Sequence, residues 1–180
     1  MATVLPMLAI VLCALVVLSD LYARRVPNTW LVITLSVAAC AGLLSLSMGA
    51  EHPARPSLLG LAVGLVSMLP FYAIRWMGAG DVKFFATLGF LLGTHALLPI
   101  WAIGCLLTGV HAFAVIVLRL PQVAGAPGIT TARQHLYASP LWQRILCARQ
   151  GRVGQPHAAY LGIATILVVL HPELLPWGHL

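Results

Sequence analysis

Only four acidic residues occur in the 180-residue chain: Asp20, Glu51, Asp81 and Glu173. Two of them stand where a carboxylate is costly. Asp20 closes the apolar run that starts at Ala2, and Asp81 immediately precedes the apolar run that starts at Phe84. An ionisable side chain at membrane depth is a functional candidate, because its charge is expensive to bury there. Two carboxyl groups brought together cannot both ionise cheaply, so they hold one proton between them and can serve as acid and base. The competing reading makes each a solvated helix-end charge, Asp20 beside Arg24 and Asp81 as an N-cap. Glu51 and Glu173, each next to a His-Pro pair, read as wetted interface residues.

The flanking residues favour chemistry. Asp81 lies in Gly78-Ala79-Gly80-Asp81-Val82-Lys83. Two glycines one residue apart remove side chains where a backbone turns sharply or lets an extended peptide approach. The N-terminal dipole of the helix that follows favours an ionised aspartate. Asp20 leads into Asp20-Leu21-Tyr22-Ala23-Arg24-Arg25-Val26-Pro27-Asn28, in which Pro27 and Asn28 mark a turn. Lys83 either orients a bound chain, holds Asp81, or snorkels to headgroups. His111 reads as a helix-packing residue, and His157 lies nearer the end that carries the aspartates.

The elements that must position these groups cross a membrane. Hydrophobic types make up 61% of the chain and charged types 8%, against roughly 25% charged in a soluble domain. So few charges cannot cover a water-soluble surface, and disorder is excluded because disordered chains are polar and charged. The expected fold is a single all-α, polytopic bundle over 1–180 with about six crossings of about 20 residues each. The runs are Ala2–Ser19, Trp30–Gly49, Ser57–Ile74, Phe84–Leu98, Pro99–Leu118 and His157–Leu170. The first lacks a basic leader region and a small-residue cleavage site, and reads as a retained helix.

Charge sets the orientation. With six crossings, Arg24, Arg25, Arg75, Lys83, Arg119, Arg133, Arg144, Arg149 and Arg152 share one side, and only Arg55 lies on the other. Lys and Arg in short loops mark the cytoplasmic side, so both termini and Arg55 face away from it. The formal charge of +6 is then a topology signal rather than a sign of nucleic-acid binding. Trp30, Trp76, Trp101 and Trp177 fall at span ends, where indole rings favour the interface. The basic loop 119–156 contains Trp142 within Tyr137–Leu146, either a segment lying flat on the inner leaflet or a disordered loop. The four cysteines form no CxxC pair, so neither a disulfide framework nor a zinc site is expected.

The Gly78-Ala79-Gly80-Asp81-Val82-Lys83 run and the Asp20…Arg24-Arg25-Val26-Pro27-Asn28 run together resemble the type IV prepilin peptidases, a family of membrane aspartyl proteases. The likeness covers roughly residues 5 to 120, and Arg152–Gly162 resembles the proline-containing entry to that family's last helix. The resemblance implies that Asp20 and Asp81 are the catalytic pair, with Gly78, Gly80, Lys83, Pro27 and Asn28 shaping the site. It implies a prepilin substrate, a bilayer location in the bacterial inner membrane and an active site facing the cytoplasm, with no metal or other cofactor. Larger members carry a cytoplasmic insertion with paired CxxC motifs and also N-methylate the product. This chain has neither, so it resembles the short form associated with tight-adherence (Flp-type) pili, and methyltransferase activity is not expected. Two other functions fit parts of the pattern: a non-catalytic assembly component of a pilus or secretion system, and a small proton-coupled transporter. The transporter predicts acids at mid-span, whereas Asp20 and Asp81 lie at span edges.

Overall fold

The computed structural model describes residues 4–49, 55–151 and 155–174; Glu51, Arg152 and Trp177 lie outside them. The described chain forms α1 (Val4–Ala23), α2 (Asn28–Ser47), α3 (Leu58–Ala73), α4 (Ala79–Leu92) and α5 (Thr94–Arg119). It continues through α6 (Pro121–Ala124), α7 (Pro127–Ala138), α8 (Pro140–Arg149) and α9 (His157–Leu170) to a 3₁₀ turn at Pro172–Leu174. No strand occurs among the described residues. α1, α2 and α5 are long and apolar enough to cross a bilayer, and α3 and α9 are shorter apolar helices. α4, with 14 residues, spans about 21 Å.

Helix starts follow local chemistry. The Ser57 hydroxyl accepts from the Gly60 N–H at 2.9 Å and caps α3. Pro121, Pro127 and Pro140 each open a helix, where the missing N–H would have had no helical partner. These prolines divide the basic loop into α6, α7 and α8, so the segment around Trp142 is helical.

Two boundary expectations change. The fourth run ends at Leu92 rather than Leu98, and Pro99 lies inside α5 instead of opening it. The break falls at Gly93, whose φ of 81° is open to glycine and strained for most other residues. Trp101 accordingly sits two turns inside α5 and lines a cavity instead of marking a helix end.

α4 is the axis of the bundle. Val82 and every residue from Phe84 to Leu92 are buried, and α1, α2, α3, α5 and α9 all pack on it. Its closest approach is to α3, where Gly60 and Gly89 bring their backbones together; a β-carbon on either would collide with the other's carbonyl oxygen. α9 packs between α1 and α5. Around this axis the outer faces stay apolar: Leu98, Leu106, Val110, Phe113 and Ile116 form an exposed stripe along α5. Spaced by eight, four, three and three residues, the stripe keeps to one face of the helix and suits contact with lipid.

Candidate active site

Asp20 lies in the last turn of α1, and only 6% of its surface is exposed. Its Oδ2 accepts a hydrogen bond from the Ala159 N–H at 3.0 Å. Ala159 is in the first turn of α9, where backbone N–H groups have no partner within the helix. The carboxylate therefore meets the positive end of the α9 dipole as well as a direct donor. The charges of Arg24 and Arg149 also act on it.

Arg149 comes from α8. Its Nη2 donates to the Leu21 carbonyl at 2.9 Å, and its guanidinium lies 5.6 Å from the centre of the Trp142 ring, within cation–π range. Arg25 Nη2 donates to Gln150 Oε1 at 3.1 Å. The end of α8 is thus fastened to the end of α1 beside Asp20.

Asp81 is held more locally. It occupies the first turn of α4, ahead of that helix's apolar stretch, and its Oδ2 accepts from the Gly78 N–H at 3.4 Å. This is the returning half of a capping box; Gly78 has no side chain to supply the other half. Burial, and after it the charge of Asp20, pushes the Asp81 carboxyl up to about 6, against the opposing pull of the Gly78 N–H. The charge of Asp20 is felt at Asp81 although the two groups stand 61 residues apart in sequence.

Both aspartates line one open cavity of about 1270 Å³. Pro27, Asn28, Gly78, Gly80 and Lys83 line it too, so the residues expected to shape the site come to the same place as the aspartates. Their local roles differ from the simplest expectations. Lys83 Nζ contacts Asn28 Oδ1 at 3.5 Å and links the starts of α4 and α2. A β-carbon at Gly80 would press on the Val26 side chain at 3.2 Å, so this glycine makes room for the chain's own turn. Gly78 is exposed on the rim.

The cavity also draws on residues that the sequence did not single out for the site. Arg75 lines it alongside Arg24, and both follow helices with positive φ, 61° and 54°. Glycine usually fills that left-handed position after a helix, and strained backbone of this kind clusters at functional sites. The Ala159 N–H carried no signal at all in the sequence, since a backbone donor has no residue type. Among the described residues no group of three or more His, Cys, Asp or Glu side chains could hold a metal ion. The arrangement offers proton exchange between two carboxyl groups in a water-accessible pocket at the edge of apolar helices.

No curated protein and no solved structure matches the chain. The sequence model of the type IV leader peptidase family matches residues 7–113, a stretch that contains Asp20, Asp81 and the residues between them that line the cavity. With more than half of its length matched, this chain belongs to the type IV leader peptidase family.

Proposed function

We propose that this protein is a membrane aspartyl endopeptidase that removes the leader of a Flp-like type IV prepilin at the cytoplasmic face of the inner membrane. The observation that carries the reading is the shared cavity of Asp20 and Asp81, in which the charge of one raises the proton affinity of the other. The apolar stretches of α1 to α5 and α9 are the six crossings, with Asp81 outside them at the cytoplasmic edge of α4, and α6 to α8 lie on the cytoplasmic side with the basic residues.

Asp20 and Asp81 act as one acid–base pair that shares a proton. The Ala159 N–H holds the Asp20 carboxyl in place. The ionised partner takes a proton from water as the water oxygen attacks the scissile carbonyl carbon. The protonated partner donates a hydrogen bond to the carbonyl oxygen, which becomes the tetrahedral oxyanion. Collapse of that intermediate breaks the C–N bond, and a proton passes through the pair to the departing amine. A prepilin presents a polar leader ahead of an apolar helix. The apolar helix packs in the membrane while the junction enters the cavity.

The test is co-expression with a candidate prepilin, following leader loss by mass spectrometry. Wild-type protein shortens the precursor, while membrane-inserted Asp20→Asn and Asp81→Asn leave it whole. Normal processing by either variant would remove the mechanism.

A further inference from the structure

α6, α7 and α8 bury none of their residues, and α7 packs mainly on its two neighbours in this layer. Helices of 12 and 10 residues are marginal in water unless an apolar face is covered. The apolar side chains are present: Leu136, Tyr137, Leu141 and Leu146 are 44% to 70% exposed. Charge indicates what covers them. Residues 119–156 contain five arginines and no acid, a composition that is drawn to an anionic surface.

Position narrows that surface to lipid. Arg133 Nη2 donates to the Leu118 carbonyl at 3.0 Å, in the last turn of α5. Arg149 Nη2 donates to the Leu21 carbonyl at 2.9 Å, in the last turn of α1. The layer is therefore strung between the ends of two helices that are each long and apolar enough to cross a bilayer. At that depth the hydrocarbon gives way to headgroups. Arginines beside leucines and aromatic rings suit a segment lying in this boundary, with guanidinium groups on phosphates and apolar groups among the upper acyl chains.

We propose that α7 and α8 form a docking surface for the anionic phospholipids of the leaflet at that end of the bundle. The exposed Arg119 and Arg144 meet headgroup phosphates, and Leu141 and Leu146 enter the acyl boundary. The inference rests on the crossings read above and not on the peptidase chemistry.

The test places the full-length protein in lipid nanodiscs, of phosphatidylcholine alone or with about one-third phosphatidylglycerol, and reads a fluorescent probe attached at Leu141→Cys. Cys40→Ser, Cys105→Ser and Cys147→Ser leave Cys13, which is buried, as the one other thiol. With phosphatidylglycerol, quenching of the probe by acrylamide should fall about threefold and its emission should move to the blue. About 0.5 M salt should reverse most of that protection. Arg119→Gln combined with Arg144→Gln should remove about half of it. Equal quenching in the two lipids, or protection untouched by salt and by the arginine variants, would overturn the proposal. Protection that arises only when an acidic protein is added would also overturn it and make that protein the occupant. None of these outcomes bears on leader cleavage, so the aspartate mechanism is tested separately. Failure of the protein to enter nanodiscs would instead remove the crossings and this inference together.

Discussion

Asp20 and Asp81 face one cavity, yet they are secured in opposite ways. Asp20 is buried and tied to a backbone donor 139 residues away, with an arginine from α8 alongside. Asp81 is partly exposed and held by a long bond within its own turn. One carboxyl group is therefore a product of the tertiary fold, and the other of a six-residue motif on the central helix. The first is fixed in place, while the second has room to adjust within the cavity.

The comparison breaks most severely if either carboxyl group is lost. Asp20→Asn and Asp81→Asn should each slow leader removal by about 10²- to 10⁴-fold, the usual worth of a positioned acid or base, as read from precursor decay on gels. On the Asp81 side, α4 packs on α3 through the close Gly60–Gly89 backbone contact. Gly60→Val should lower the unfolding midpoint by several degrees, at an overpacking cost of about 1–3 kcal/mol, measured by thermal denaturation in detergent. On the Asp20 side, Arg149→Met removes the bond to Leu21 and the nearby charge. A three- to tenfold fall in kcat/KM is expected, about the effect of one partly exposed charged hydrogen bond. Arg144→Met should change kcat/KM by less than about twofold, since surface charges contribute little.

The smallest effect is on stability. Asp81 holds its proton more tightly when folded, with its carboxyl moved from 3.8 to about 6. That contribution is fully present below about pH 4 and is lost as pH rises through 6. Asp81→Asn escapes the cost of charging the buried group, so its melting temperature should exceed that of wild type at pH 8 and converge with it near pH 4. The same proton sets the alkaline limb of kcat/KM in the free enzyme, which should be centred near pH 6.

Much of the Asp81 half was legible in the sequence, because glycine spacing, the acid and the start of an apolar run are all residue types. The Asp20 half was legible as a costly charge and as a run resembling the family, but not in its contacts. Its partner is a main-chain N–H on α9, and α9 reaches α1 through packing that no local pattern encodes. The α4–α5 break was misplaced for a related reason: Gly93-Thr94-His95 and Pro99 both stood as separators by type, and only Gly93 is where the backbone turns. The loop around Trp142 left a flat segment and disorder both open. It folds as helices that begin at prolines, and Arg149 at the end of α8 joins the site by reaching the Leu21 carbonyl.

The most direct measurement is a double-mutant cycle on leader cleavage by reconstituted protein, using Asp20→Asn, Asp81→Asn and the double variant. Two groups that share one proton act as a unit, so each single variant should lose as much rate as the pair together. Losses that multiply independently, or one single variant that still cuts at the wild-type rate, would contradict a joint carboxyl mechanism.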